Sequence, residues 1–352
     1  MVPEHIARTF QHGGLVEFSR ASTRPSGAFG CFMYHFAKNP CRDDLCSIQY
    51  KNGAGLSCHP ARLAHLPVHR QPISTDPVLK ELKMKQYPVY ENPYDALHID
   101  AETVLQLHAV TLGENSLSAY VSSLSPYAAK LQAYFRIFGI RHELVSVPVP
   151  DVGPRGKVPF ITVGDTRIAD SGLIIDYLKG TLGDPDAHLS AEQKALGQVV
   201  QGTLEDHLYW IIIYYEFFDQ GGWDFLMKTM VGDPTALPPE IQEALKTRRE
   251  DFRKRCFDQG VARFTEAEII DKAKKDLSAI DVLIGDKRFL LGNDRPSSYD
   301  AVVFGFTQAF FQAHGLHPDI TDYARTLPNL GRFIATVTAQ WYPELKLAFQ
   351  PS

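Results

Sequence analysis

The chain has 352 residues, 44% apolar and 22% charged, and its 36 lysines and arginines against 41 aspartates and glutamates leave a formal charge of −5. This is the composition of a folded globular protein, and the mild acidity argues against a nucleic-acid binder, which carries a basic stripe. The best candidate for a membrane span, residues 208–215, is eight residues long, against the ~18 that a transmembrane segment needs; it reads as a buried helix segment.

In chain order, residues 1–102 are the least patterned. Residues 1–70 hold eight basic against four acidic side chains and six of the thirteen histidines, and prolines at 60, 67, 72, 77, 88 and 93 punctuate the second half of the stretch. It reads as an extension, loosely ordered or packed as a lid on the body. Glu4, Glu17, Asp43 and Asp44 interrupt its positive charge, which suits a mitochondrial leader poorly, and residues 1–10 lack the apolar core of a secretory signal. Four of the five cysteines (Cys31, Cys41, Cys46, Cys58) fall here. Their spacing matches no strong zinc pattern, so they read as unpaired thiols of a reducing compartment.

From Val104 the signals sharpen. Residues 104–110 have a short apolar strand pattern, followed by a polar loop to Leu124. Ser125–Pro126 starts a helix in the favoured way, with Ser as N-cap and Pro in the first helical position. Tyr127, Leu131, Phe135 and Phe138 recur at helical spacing, and Gly139 ends the run. Strands follow at 142–147, 158–163 and 166–168, the last two joined by the Gly164–Asp165 turn. Asp170–Ser171 opens a second helix through Leu178. Residues 103–184 therefore read as one mixed α/β layer.

Beyond Asp184–Pro185 the β signals vanish. Residues 191–218, 239–259, 265–284, 298–312 and 330–340 read as helices, and Ser297 with Asp300 forms a capping box ahead of an apolar run. Residues 189–345 read as an all-α domain. The aromatic set Tyr209, Trp210, Tyr214, Phe217 and Phe218 reads as core, Cys256 as a packed thiol and His207 as the holder of a buried hydrogen bond. The basic cluster at 248–255, interleaved with Glu250 and Asp251, reads as a solvated helix face.

Four segments in this order resemble the landmarks of glutathione transferases: Ser125-Pro126-Tyr127-Ala128, Gly156-Lys157-Val158-Pro159, Ala169-Asp170-Ser171 and Ser297-Ser298-Tyr299-Asp300. More narrowly the chain is similar to the failed axon connections and metaxin branch, through residues 124–127 with Lys130, residues 205–210, residues 259–263 and Trp341-Tyr342-Pro343. The resemblance covers about residues 103–345 and leaves the first hundred outside. It implies an N-terminal thioredoxin-like domain followed by an all-helical glutathione-transferase C-terminal domain, often dimeric, with glutathione in the groove between them.

The same resemblance implies a role for each landmark residue. Val158–Pro159 would be cis, with the Val158 backbone pairing with the cysteinyl part of glutathione like an added strand. Asp170 would meet the γ-glutamyl ammonium, and Ser171 at its helix N-terminus the adjacent carboxylate. Lys157 would neutralise the glycyl carboxylate. Ser125 occupies the catalytic position, where a hydroxyl donates to the glutathione sulfur and lowers the thiol pKa; Tyr120, Ser122 and Ser123 are alternative donors. A dithiol exchange site would need cysteines at 125 and 128, which are Ser and Ala.

Three functions are compatible with these residues. The first is a cytoplasmic enzyme joining glutathione to a small hydrophobic electrophile by conjugation, lyase or dehalogenation chemistry. The second is a non-catalytic adaptor of the same fold. The third is an import component at the mitochondrial surface, for which the tail from Lys346 to Ser352 offers no anchor.

Overall fold

A computed structural model describes residues 99–112, 115–147 and 153–351. The extension expected over residues 1–102 lies outside these, apart from its last four residues, as do the four N-terminal cysteines.

The first described part alternates strand and helix: β1 (Leu105–Ala109), α1 (Pro126–Ile137), β2 (His142–Ser146), β3 (Phe160–Val163), β4 (Thr166–Ala169) and α2 (Ser171–Leu182). The sheet order is β2-β1-β3-β4. β1 and β2 are parallel, Leu105 opposite His142 and Ala109 opposite Ser146, and a parallel pair requires the crossover that α1 provides. β3 runs antiparallel to β1, and the hairpin adds β4 antiparallel to β3. Leu105, Leu107 and Ala109 turn one face of β1 into the core while Gln106 is exposed, the alternation that a pleated strand imposes. This is the thioredoxin-like layer that the resemblance implied, with α2 one turn longer than expected.

α1 is buried from Ala128 to Phe135 on every side, the mark of a helix enclosed by its neighbours. Behind it lie α3 (Ala191–Gly202), a π segment (Thr203–Leu208), α4 (Tyr209–Ile213) and a second π segment (Tyr214–Phe218), which follow one another without a break. Then come α5 (Gln220–Met230), α6 (Pro239–Gln259), α7 (Glu266–Ile284), α8 (Ser298–Gln312), α9 (Pro318–Ala324) and α10 (Pro328–Trp341). The expected helices are all present; α5 and α9 are additional. A Cβ at Gly222, in the first turn of α5, would sit 2.0 Å from the Tyr215 carbonyl oxygen. Glycine there permits close backbone approach. No helix among the described residues is long and apolar enough to cross a membrane.

α8 is buried along its whole length and packs on α1. A Cβ on Gly305 would lie 2.5 Å from the Lys130 backbone nitrogen, so only glycine lets the two helices meet. Asp300 completes its capping box by accepting from the Ser297 N–H, and also from the Leu290 N–H, both at 2.7 Å. Asp186, between α2 and α3, accepts from Lys179 Nζ at 2.6 Å and from the Ser298 N–H at 2.7 Å. Burial pushes its carboxyl up, but the hydrogen bonds from Lys179 and Ser298 outweigh this and hold it below the usual carboxylate value.

Lys130 is fully buried, and its Nζ donates to Glu205 Oε1 at 2.6 Å. A buried ammonium without its partner costs far more than the pair contributes. Glu205→Ala should therefore lower stability by about 3–5 kcal/mol, while the double variant Lys130→Met, Glu205→Leu should recover most of the loss. Chemical denaturation of both proteins checks this.

Candidate functional site

Two cavities share a wall along one groove. The more polar of the two, about 360 Å³, is lined by Arg155, Pro159, Asp170, Ser171 and Trp210. An apolar one of about 460 Å³ is lined by Ser125, Thr111, Glu216, Trp223 and Met227. Tyr127, Lys157, Val158, Tyr209 and Phe252 border both. The six residues singled out from sequence thus line one continuous groove: Ser125 on the apolar side, Pro159, Asp170 and Ser171 on the polar side, and Lys157 and Val158 between them.

Local chemistry puts each there. Ser125 is the N-cap of α1: its Oγ accepts from the Ala128 N–H at 3.4 Å, and its own N–H donates to Ser123 Oγ at 3.1 Å. Asp170 is the N-cap of α2, its Oδ1 accepting from the Gly172 and Leu173 N–H groups at 3.0 and 3.1 Å. It does so at φ +78°, a conformation that costs a non-glycine residue of order 1–3 kcal/mol and clusters at ligand sites. The Val158–Pro159 peptide is cis. Ahead of it, the Gly156 N–H closes a turn on the Gly153 carbonyl at 2.8 Å, and a Cβ on Gly153 would lie 1.7 Å from the Lys157 carbonyl oxygen. Lys157 Nζ sits 5.3 Å from the centre of the Phe252 ring.

The alternative hydroxyls lie elsewhere. Ser122 Oγ accepts from Gln308 Nε2 at 2.9 Å, Ser123 is 3% exposed, and neither they nor Tyr120 line either cavity. The Tyr127 hydroxyl donates to the Glu205 carbonyl at 3.0 Å, and burial raises its pKa. Thr111 and Ser146 do face the apolar cavity, sharing a hydrogen bond of 2.8 Å. No sequence signal marked them, because parallel pairing of β1 and β2 is what brings their strand ends together.

The helical wall also departs from what the sequence suggests. Tyr209, Phe217 and Trp210, expected in the core, border the groove. On the basic face of α6, Lys254 and Arg255 are solvated and pair with Asp258 and Asp251, while two arginines cap a neighbouring helix instead. Arg249 Nε donates to the Phe217 carbonyl at 3.1 Å and Arg253 to the Phe218 carbonyl at 2.7 Å, placing cations at the C-terminal end of the second π segment, where the helix dipole favours them. His207 bonds Asp276 Oδ2 at 2.5 Å but is half-exposed rather than buried. Cys256 is buried in the core, and burial pushes its thiol up to about 12, which makes it unreactive.

One groove residue is absent from the sequence-based candidates although its signal is visible: Glu216, the lone carboxylate at the end of the apolar run 208–215. It is 7% exposed and lines the apolar cavity. Burial raises its carboxyl to about 8.

A thioredoxin-like layer and an all-helical part, with this groove, define the class, and comparison with known proteins agrees. The glutathione S-transferase N-terminal domain matches residues 126–221 and the glutathione S-transferase C-terminal domain matches residues 273–337. Over 231 residues the chain is 30% identical to the isoprene-epoxide–glutathione S-transferase of Rhodococcus sp. (strain AD45), covering 63% of this chain and 94% of that protein. It is 28% identical over 258 residues to Failed axon connections of Drosophila melanogaster, covering 69% of this chain and 60% of that protein. With metaxin-3 of Xenopus laevis it shares 22% identity over 225 residues, covering 62% of this chain and 72% of that protein. The chain belongs to the glutathione S-transferase family.

Gly153→Ala should push the Lys157 carbonyl out of place and cost about 1–3 kcal/mol, the usual penalty of overpacking. Chemical denaturation read beside Gly202→Ala, where a Cβ meets nothing within 4 Å, separates the clash from a general effect of losing glycine.

Proposed function

We propose that the protein is a glutathione-dependent transferase that joins the glutathione thiol to a small hydrophobic electrophile. The observation that carries this reading is the shared wall of the two cavities. A zwitterionic, extended peptide suits the polar cavity and an apolar molecule suits the other, whose wall includes Ser125.

In this reading Asp170 takes the γ-glutamyl ammonium through the carboxylate oxygen not used for the cap. Ser171 and the first amides of α2 take the neighbouring carboxylate, since unsatisfied N–H groups and the dipole favour an anion there. The Val158 backbone pairs with the cysteinyl residue and Lys157 meets the glycyl carboxylate. The Ser125 hydroxyl donates to the sulfur, favouring thiolate over thiol. The sulfur then attacks carbon in the apolar cavity. The Rhodococcus relative, whose name couples glutathione with an epoxide, supports chemistry of this kind. The setting proposed is cytoplasmic.

A second reading, a non-catalytic adaptor, is favoured by one feature: Ser125 Oγ and Asp170 Oδ1 are already engaged as helix caps. The likeness to Failed axon connections and metaxin-3 is compatible with it.

Calorimetric titration of the full chain with reduced glutathione separates the two. Saturable binding is expected, and Asp170→Asn should weaken it by about 1.5 kcal/mol, roughly tenfold in Kd. Asn caps a helix as well as Asp, so this variant removes the charge and keeps the fold. No binding at millimolar glutathione would overturn the enzyme reading in favour of the adaptor. Ser125→Ala should raise the pKa of the bound thiol, read from thiolate absorbance against pH, with little change in affinity; an unmoved titration would assign the thiol contact to another group.

A further inference from the structure

Glu216 is the one carboxylate lining the apolar cavity among the described residues. Its position follows from the second π segment, Tyr214–Phe218, which continues the helix Tyr209–Ile213, buried from Ile211 onward. A π turn carries more residues than an α turn, so it shifts the face on which later side chains emerge, and such turns recur at functional sites. Arg249 and Arg253 fasten the end of the segment through the Phe217 and Phe218 carbonyls. The wall that bears Glu216 is therefore held from behind.

Glu216 as a residue is 7% exposed, and its carboxyl makes no hydrogen bond or ion pair among the described residues. Buried polar groups normally find partners, and a side chain that lines a cavity without one is placed to meet whatever enters. Its apolar neighbours there include Ile213, Leu226 and Met230. The other ionisable groups on the cavity wall are Tyr127 from α1, Lys157 from the loop before β3, Tyr209 from α4 and Arg248 from α6.

Ser125 and Glu216 border the same cavity, one placed for the nucleophile and the other for an incoming electrophile. A carboxylic acid on the wall of that cavity assists reactions in which a strongly basic atom develops as the thiolate attacks. Displacement of a halide needs no proton, because halide ions are very weak bases. Opening an epoxide leaves an alkoxide, which is a far stronger base and needs a proton as the bond breaks.

We propose that Glu216 is the general acid that protonates the departing oxygen when the glutathione sulfur opens an epoxide. The thiolate lone pair forms the new C–S bond and the C–O electron pair moves onto oxygen. That oxygen takes the Glu216 proton and becomes the hydroxyl of a β-hydroxy thioether. The resulting carboxylate regains a proton from solvent, replacing the one that glutathione released on forming thiolate, so protons balance over the cycle. The inference rests on the transferase reading and adds the substrate class and the acid to it.

A carboxyl raised to about 8 by burial is mostly protonated at neutral pH. Its acid form, and so its contribution to kcat, is present below that value and lost as pH rises through it.

The test uses the full chain with two substrates attacked at benzylic carbon, styrene oxide and benzyl chloride. Glu216→Gln should lower kcat on styrene oxide by about 100-fold and leave kcat on benzyl chloride within about threefold. In the unaltered protein, kcat on styrene oxide should fall as pH passes about 8, while that on benzyl chloride should not. This comparison stands even if the variant folds poorly. Infrared difference spectra between the two proteins at neutral pH should show the C=O stretch of a protonated carboxyl that the variant lacks. Equal losses on both substrates, undiminished epoxide opening by the variant, or absence of the carboxyl band would each overturn the assignment. So would a protein that binds glutathione calorimetrically but opens no epoxide, and that result leaves the binding reading intact. A protein that binds no glutathione overturns both.

Discussion

The fold depends on a charge that has nowhere else to go. Lys130 lies in the middle of α1, where α8 packs against it, and its ammonium is cut off from water. Glu205 is its answer, at 2.6 Å, from the first π segment of the helical part. The Tyr127 hydroxyl bonds the carbonyl of the same glutamate at 3.0 Å. Two contacts one turn apart on α1 thus fix where the long helix from Ala191 to Phe218 crosses it. That crossing decides which of its side chains face the groove. The pair is costly to bury and costlier to break, so it acts as a register mark between the two parts more than as a source of stability.

The groove uses the ends of helices as its tools. Ser125 and Asp170 each complete a helix start and each stand at a cavity wall. The N-terminus of α2 is suited to an anion because its first amides lack intrahelical partners. Asp170 meets some of that demand at the expense of an unfavourable φ. Lys157 and Val158 are carried by a loop whose backbone is so close that Gly153 tolerates no Cβ. Two helix starts and one tightly packed loop hold these groups.

Across the groove, environment separates two acids. In the proposed reading a glutathione thiol facing the Ser125 hydroxyl is drawn toward its ionised form, whereas a carboxyl in an apolar wall is held in its neutral form. Pushing two titratable groups apart in this way lets one site supply a nucleophile and a proton together at one pH. For Glu216 the cause is burial alone.

Much of the architecture was legible in residue order because its signals are local. Ser125–Pro126, Ser297 with Asp300 and the Gly164–Asp165 turn each state their conformation within a few residues, and alternation in β1 states which face is buried. The candidate groove residues were legible through resemblance. Helix α5 was not, since Gly221–Gly222 signals a break locally while the glycine at 222 serves contact with Tyr215. The arginines of α6 read as solvated because charge in sequence does not reveal a carbonyl from another helix. Sequence by itself determined the elements, their order and the caps that begin them, which depend on hydrogen bonds between near neighbours. Only tertiary structure decided that Glu216 faces a cavity shared with Ser125, that Thr111 meets Ser146, and that aromatic residues read as core are groove walls. Those outcomes depend on helix crossing and strand pairing, where residues far apart in the chain exclude water from one another.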